Sequence, residues 1–294
     1  MDTRCTNSRS SVGQARQART DWALLTTAQR IRHLELEGYV LIPDLLSQTQ
    51  LDKIRAELGR LPTTPVDYSE HQRGCGDIEW TNSPEAISVI AHPPMIAFLE
   101  ALFADELICT SCGYGVSEPG HPGIAIHTDA QPYGSTIFGL HASSPCLVRV
   151  LYYLDDLTPL RSPFKVIPRS HLSMHVDAIP YNRYLAHDDE VMVTCKAGSA
   201  ALINQKVFHG NYPNYSDGNR RMLAIAYRPA WAGPIADVED REPEKVAQLP
   251  AQIRPYFKSL NTRKINYEQV NRPDNLATQA AGISPARWGT KNED

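Results

Sequence analysis

The sequence predicts a mainly β fold with flanking helices, in which antiparallel strands form a closed barrel or a sandwich. From residue 107 onward, short runs rich in Val, Ile, Leu and Tyr alternate with turn signals, which is typical of antiparallel β structure. Helical patterns precede these runs rather than alternating with them, which argues against a doubly wound parallel sheet. The predicted strands are 107–113, 124–128, 147–154, 164–167, 191–196, 199–205 and 222–227.

Three apolar stretches in the first part of the chain predict helices. The stretch 26–38 begins at a Thr cap candidate and ends at a glycine, and the stretch 47–58 begins at a Ser cap with apolar residues at helical spacing. Consecutive prolines divide the third stretch, 84–105, into two helical pieces. Residues 39–43 are a β-rich run, and the polar, turn-rich segment 60–83 is typical of a lid or a pocket wall.

We expect one domain with extensions, because barrels of about 200 to 250 residues commonly form a single domain. That domain covers residues 21–232, with a helical N-terminal part, 21–105, and a barrel, 106–232. Residues 1–20 carry four arginines against one acid. A disordered tail is the expected reading, although organellar transit peptides have a similar composition. The extension 233–294 is expected to be partly helical; it could pack on a partner subunit in a homodimer.

Composition and charge exclude several functional classes. The formal net charge of -4 and the absence of a basic run give no electrostatic reason to expect nucleic-acid binding. No apolar stretch approaches the about 20 residues of a membrane span, and no signal-peptide core follows Met1, so we expect a cytoplasmic protein. Cys109 and Cys112 form a CxxC pair. Because this pair lies at a predicted strand end, we expect buried thiols and no redox or zinc site.

His127 and Asp129 predict one half of a metal site. They end a short apolar run, and strand residues two positions apart point to the same face and can bind one ion. Two neighbouring ligands alone leave a site loose, so we expect a further histidine far downstream, for which His209 is the candidate. The other histidines that compete for this role are His141, His171 and His175.

Two imidazoles and one carboxylate on a β scaffold suit a divalent first-row metal. Three ligands on one face leave the opposite face open for a cosubstrate and oxygen, as in the facial triad of non-haem Fe(II) oxygenases. Zinc could bind the same ligands and act as a hydrolytic Lewis acid. Ligand identity alone therefore leaves the metal open.

A turn and two arginines follow His209. The composition of residues 213–218 predicts a tight hairpin that brings a strand beginning near Arg220 back beside the histidine. A guanidinium inside a barrel is costly unless it meets an anion, and its fork matches a carboxylate. An arginine near the metal therefore indicates a carboxylate-bearing cosubstrate, and a register slip by one residue would place Arg221 there instead.

With these residues in place, the chain resembles the phytanoyl-CoA hydroxylase-like (PhyH) family of Fe(II)/2-oxoglutarate-dependent dioxygenases over roughly residues 25–232. The family pattern is HxD, a distant His, and an Arg eleven residues beyond it. The matching residues are His127, Asp129, His209 and Arg220.

Further stretches carry the same resemblance. Residues 37–43 resemble the family's "dGyvvip" stretch, and residues 152–156 with 166–171 resemble "yLdd" followed by "vPGSH". Two departures occur. Arg169 replaces the usual Gly, and the familiar Gly before this turn is missing from 160–164. Both lie near the expected substrate side, so they weaken the substrate analogy more than the metal site.

The resemblance implies a double-stranded β-helix (jelly-roll, cupin-like) barrel. It also implies that His127, Asp129 and His209 bind Fe(II), that Arg220 binds the far carboxylate of 2-oxoglutarate, and that O2 is consumed while succinate and carbon dioxide form. No catalytic residue is expected beyond the metal ligands. Because Asp129 is present, hydroxylation, desaturation, ring closure or epoxidation is expected in preference to halogenation.

We therefore expect a dioxygenase that oxidises a C–H bond of a small organic molecule in secondary metabolism, because no basic cluster suggests a coenzyme A handle. The alternatives are an oxygenase of a primary metabolite such as an acyl thioester, amino acid or phosphonate, a non-catalytic barrel protein, and a zinc-dependent hydrolase or isomerase. Asn211 either bonds the cosubstrate or stabilises the turn. Candidate substrate-pocket residues are Tyr68, His71, Trp80 and Tyr133.

Overall fold

Two β-sheets that share one hydrophobic core form the centre of the protein. The computed structural model describes residues 16–18, 20–66, 69–76, 83–104, 106–127, 145–172, 181, 186–230 and 241–257. The strands are β1 Arg16–Gln17, β2 Tyr39–Ile42, β3 Thr64–Val66, β4 Ser69–Cys75, β5 Leu107–Ser117, β6 Ile124–His127, β7 Val148–Tyr153, β8 Phe164–Val166, β9 Val191–Val193, β10 Ala200–Asn204, β11 His209–Asn211 and β12 Arg220–Pro229. The larger sheet has the order β2-β10-β7-β12-β5-β4-β3, and the smaller has the order β1-β9-β8-β11-β6.

A strand is present at each of the seven predicted positions, but the segment 60–83 is not the loop that its polar composition predicts, because it contains β3 and β4. Strands β3 and β4 in this segment form a hairpin that extends the larger sheet at its edge, where Gln72 of β4 pairs with Ser117 of β5. An edge hairpin with one solvated face has a polar composition, which is why the segment looks like a loop in the sequence.

Helices α1, Thr27–Glu37, and α2, Gln48–Leu58, both begin and end where the sequence predicts. Both start with a capping box, in which Thr26 and Ser47 each exchange hydrogen bonds with a glutamine three residues later. Gly38, at φ 84°, ends α1 in the left-handed region that favours glycine.

The third helical stretch is interrupted as predicted, but it corrects one expectation. It consists of α3 Pro84–Ser88, a 3-10 turn Val89–Ala91, and α4 Pro93–Phe103. By length and composition Pro84–Phe103 could cross a membrane, so the expectation that no stretch approaches that length is wrong. More than half of it, 56%, is buried inside the protein, and the Tyr227 hydroxyl donates to the Ile90 carbonyl at 2.9 Å. This helical stretch packs as a core element on the outer face of the larger sheet.

Both ends of the described chain pack on the sheets. Strand β1 pairs with β9 in parallel, so paired structure begins inside the segment 1–20 that we expect to be a tail. Within the extension 233–294, which we expect to be partly helical, the described residues form a helix, α5 Pro243–Ala247, and a 3-10 turn, Arg254–Phe257. Leu249, Ile253 and Phe257 are buried in the same core, and the 3-10 turn contacts β5. This segment therefore packs against the larger sheet of the same chain.

Candidate metal centre

His127 and His209 lie side by side on neighbouring strands of the smaller sheet. They are opposite each other in the antiparallel register of β6 and β11. Their ring centroids are 4.4 Å apart, and the ring planes are inclined by 45°. Two histidines that are 82 positions apart in the sequence are thus placed within reach of one ion.

Both imidazoles make the same local hydrogen bond. The Nδ1 atom of His127 lies 3.0 Å from the Ala125 carbonyl oxygen, and Nδ1 of His209 lies 3.0 Å from the Val207 carbonyl oxygen. A carbonyl oxygen only accepts, so each Nδ1 carries the proton and the lone pair of the neutral ring is on Nε2. Metal-binding histidines are oriented in this way, and the donor set therefore fits a divalent metal.

Two glycines allow β6 and β11 to approach closely enough to place the histidines together. A Cβ at Gly210 would collide with the Ile124 carbonyl oxygen, and a Cβ at Gly123 would lie 2.7 Å from the Asn211 carbonyl oxygen. Gly123 also has φ 88°, in the left-handed region. The spacing of the two imidazoles therefore depends on direct contact between backbones.

A turn between β8 and β9 supports the strand that carries His209. The Ser170 hydroxyl accepts from the Phe208 N–H at 2.8 Å and donates to the Ile167 carbonyl at 2.7 Å. Arg169, which stands where the family has Gly, adopts φ 66°, and its guanidinium binds the Glu37 carboxylate at 2.7 to 3.1 Å. This departure from the family pattern ties the turn to the end of α1.

The third predicted ligand, Asp129, lies outside the described residues, as do two of the competing histidines, His141 and His175. Within the described residues, no group of three His, Cys, Asp or Glu side chains forms a site for a metal ion. The remaining competitor, His171, has its Nε2 atom 2.8 Å from the Glu35 carbonyl oxygen. Its ring therefore packs against α1.

The two arginines that begin β12 have different environments. The Arg221 guanidinium binds the Asp155 carboxylate at 2.9 and 2.7 Å, and the backbone N–H of Arg221 donates to the same carboxylate at 2.8 Å. Arg220 is 0% exposed, and its Nη1 atom lies 3.7 Å from the Met222 sulfur. Asp155 also lies beside Arg55 of α2, so Arg221 faces the helices while Arg220 faces the opposite side of the sheet.

The predicted hairpin between His209 and Arg220 is wrong, because β11 and β12 belong to different sheets. Residues 212–219 cross from one sheet to the other. Asn214 stabilises this crossing through its amide, which donates to the carbonyls of Ser117 at 3.0 Å and Gly218 at 2.9 Å. The turn residues were identified correctly, but turn composition does not determine whether the flanking strands pair.

Polar residues that sequence reasoning missed surround Arg220. Ser117 is its register partner on β5, and the Ser117 hydroxyl donates to the Gln72 side chain. His121 is fully buried, and burial, followed by the charges of Arg220 and His71, lowers its pKa to about 3. His121 is therefore neutral near pH 7. Only tertiary contacts bring these residues together, and no local motif marks them.

The remaining sequence candidates are placed differently. His71 lies on β4 beside Gly120, with its side chain 44% exposed. The Asn211 amide points to the Ser162 carbonyl at 3.3 Å, the contact expected of a residue that stabilises the local backbone. Tyr68, Trp80 and Tyr133 are not among the residues that the structure describes.

One relative and three solved structures are similar to this chain. Dioxygenase trt7 from Aspergillus terreus is 21% identical over 243 residues, which are 76% of this chain and 81% of that protein. HygX from Streptomyces hygroscopicus, solved with nickel and 2-oxoglutarate bound, matches with a TM-score of 0.60 and 18% identity, over 70% of this chain and 89% of that chain.

Two enzymes of nogalamycin biosynthesis share the same fold. The epimerase SnoN, in complex with Fe3+, alpha ketoglutarate and nogalamycin RO, matches with a TM-score of 0.59 and 18% identity, over 74% of this chain and 90% of that chain. The alpha ketoglutarate dependent carbocyclase SnoK matches with a TM-score of 0.56 and 22% identity, over 70% of this chain and 85% of that chain. These likenesses confirm the predicted mainly β, cupin-like fold.

The family assignment comes from a separate comparison. The family model "Phytanoyl-CoA dioxygenase (PhyH)" matches residues 34–222, which is more than half of the 294 residues and includes the predicted ligands His127, Asp129 and His209 as well as Arg220. This protein belongs to the phytanoyl-CoA dioxygenase family and is a dioxygenase.

Proposed function

We propose that this protein uses Fe(II) and 2-oxoglutarate to oxidise a C–H bond of a small organic molecule in secondary metabolism. His127, Asp129 and His209 are the proposed metal ligands, and Arg220 is the proposed partner of the far carboxylate of 2-oxoglutarate. The observation that carries the proposal is the pair of adjacent imidazoles with both Nδ1 atoms hydrogen-bonded to backbone carbonyls. Family membership supports the reaction class.

The chain's own residues prepare the site for this chemistry. The two Nδ1 hydrogen bonds hold the rings in one tautomer and one orientation, which limits the reorganisation needed to bind a metal. Arg220, away from water, provides a fixed positive charge whose attraction for a carboxylate is stronger than at the surface. When bound, Fe(II) with 2-oxoglutarate and O2 supplies the oxidising power for C–H cleavage.

The substrate class rests on the relatives. HygX has also been solved with hygromycin B bound, and SnoK and SnoN are enzymes of nogalamycin biosynthesis. We propose that the substrate is a secondary metabolite like those of the related enzymes, rather than one of the primary metabolites considered above. A cytoplasmic location is part of the proposal, and it is supported by the burial of more than half of Pro84–Phe103, the stretch among the described residues that is long enough to span a membrane.

Anaerobic reconstitution with Fe(II) tests the proposed function. The wild-type protein is expected to bind one Fe(II) per chain and, with 2-oxoglutarate and O2, to release succinate. His209→Ala should lose both properties, whereas His187→Ala, at a histidine packed against Tyr181, should retain both. A wild-type protein that binds no iron, or that turns over a metabolite without O2 and with zinc, would contradict the proposal.

A further inference from the structure

The peptide group between Val207 and Phe208 is hydrogen-bonded at both of its ends. Its carbonyl oxygen accepts from Nδ1 of His209 at 3.0 Å, and its N–H donates to the Ser170 hydroxyl oxygen at 2.8 Å. A peptide group is planar and, before a residue other than proline, almost always trans, so its N–H and C=O point in opposite directions. A bond that holds the N–H therefore also fixes the direction of the carbonyl to which the His209 ring is bonded.

Ser170 completes a chain of three hydrogen bonds that begins at His209. The imidazole donates to the peptide carbonyl, and the N–H of the same peptide donates to Ser170. The Ser170 O–H in turn donates to the Ile167 carbonyl at 2.7 Å. All three bonds run from donor to acceptor in the same direction, so each polarises the next and strengthens it. A stronger bond at Nδ1 makes the Nε2 lone pair of the ring a better metal ligand.

The backbone that carries the Ser170 hydroxyl is fixed from two sides. Ser170 itself is 1% exposed. Before it, the Arg169 N–H donates to the Glu37 carbonyl at 3.0 Å, and the Arg169 guanidinium binds the Glu37 carboxylate. After it, Nε2 of His171 lies 2.8 Å from the Glu35 carbonyl oxygen. Both neighbours of Ser170 are thus bonded to the last turn of α1, and the hydroxyl is held beside β11.

The two bonds of the Ser170 hydroxyl have different consequences. The bond to Ile167 closes the local turn, which the Ser170 N–H also does by donating to the same carbonyl at 3.3 Å. The bond to Phe208 contributes nothing to that turn, because it joins the turn to the residue next to His209. A hydroxyl can accept and donate at the same time, whereas an alkyl side chain can do neither.

We propose that Ser170 is a positioning residue for the metal centre, which sets the orientation and the metal affinity of His209 through the Val207–Phe208 peptide. This assignment rests on the proposed function, because it needs His209 as a metal ligand. In this role Ser170 touches neither the metal nor the cosubstrate. It acts by holding the plane of one peptide group.

Ser170→Ala tests the assignment, because it removes only the hydroxyl. The matched control is Ser162→Ala: Ser162 is 0% exposed, and its hydroxyl donates to the Tyr212 carbonyl at 3.0 Å, just beyond the other end of β11. Anaerobic titration with Co(II), followed by its visible absorption, measures metal affinity without turnover. We expect Ser170→Ala to bind Co(II) about 10-fold or more weakly than wild type, as loss of an outer partner of a ligand does. Ser162→Ala should remain within about 2-fold of wild type.

Further measurements separate positioning from a general loss of stability. Urea unfolding of the metal-free proteins should show that both alanine variants are folded and lose similar stability. Nitrogen NMR of the metal-free protein identifies the ring nitrogen that carries the proton, and Ser170→Ala should increase the Nε2–H tautomer of His209. Ser170→Thr keeps the hydroxyl, so it should bind Co(II) more tightly than Ser170→Ala does.

The outcomes distinguish this assignment from the proposed function. Equal Co(II) affinity in wild type and Ser170→Ala, equal losses of affinity in the two alanine variants, or a Ser170→Thr protein as weak as Ser170→Ala would overturn the assignment alone. A wild-type protein that binds no divalent metal, or that binds it equally well after His209→Ala, would overturn the proposed function as well.

Discussion

The two faces of the β7–β12 strand pair differ in the partners that their charged side chains have. On the face toward the helices, Arg221 binds Asp155 through its fork, so one charge is matched by another from within the chain. On the other face, Arg220 is fully buried and is the proposed partner of the far carboxylate of 2-oxoglutarate. We therefore expect these adjacent arginines to have different roles, one in stabilising the fold and the other in binding the cosubstrate.

The largest expected effect, and the strongest test of this comparison, comes from replacing the two arginines one at a time. Arg220→Gln should weaken 2-oxoglutarate binding by about 100-fold, because a buried carboxylate would lose its charged partner. Arg221→Gln should leave that affinity within about 2-fold and lower the midpoint of chemical unfolding. Titration of 2-oxoglutarate and urea unfolding of both variants measure the two effects. Equal losses of affinity would show that the two faces do not divide the roles as described.

A smaller effect should be confined to the helix-facing side. Asp155→Asn removes the charge that Arg221 and Arg55 share, and we expect a loss of about 2 kcal/mol in the free energy of unfolding. The adjacent Asp156 pairs with Lys196 at the surface, so Asp156→Asn should cost less than about 1 kcal/mol. Denaturant unfolding compares the two variants. A 2-oxoglutarate affinity that fell with Asp155→Asn would argue against separate roles.

The last expected effect concerns the face that carries Arg220, and it is measured as a dependence of stability on pH. In the folded protein the pKa of His121 is lowered from 6.5 to about 3, first by burial and then by Arg220 and His71. Stability from this group is fully present above pH 6.5 and is lost as the pH falls toward 3, by at most about 1.4 kcal/mol per pH unit. His121→Asn should flatten the dependence of thermal unfolding on pH between 4 and 6. His71→Asn, which removes only the last of these three causes, should change the slope less than His121→Asn does.

Much of the fold could be predicted because its signals are local. The capping boxes at Thr26 and Ser47 and the apolar runs of the long strands each depend on a few consecutive residues. Strand β11 is only three residues long, and β3 and β4 form a polar edge hairpin, so periodicity does not distinguish them from loops. The crossing between β11 and β12 depends on sheet partners that lie far away in the sequence.

The candidate site could be predicted only in part for a related reason. Motif spacing identifies His127 and His209, and the structure places them together. The side of the sheet toward which Arg220 points could not be predicted, because a register slip of one residue would exchange it with Arg221. The residue that distinguishes the two arginines is Asp155, which binds Arg221 and is 66 positions away in the sequence.

The contact between β6 and β11 has a practical consequence for redesign. Gly123 and Gly210 let the two backbones approach closely, and a side chain at either position would push β6 and β11 apart. A redesign of the site should therefore keep both glycines. The spacing of the two imidazoles is thus a property of the backbones of β6 and β11, and changes of substrate selectivity are best sought at side chains outside these two glycines.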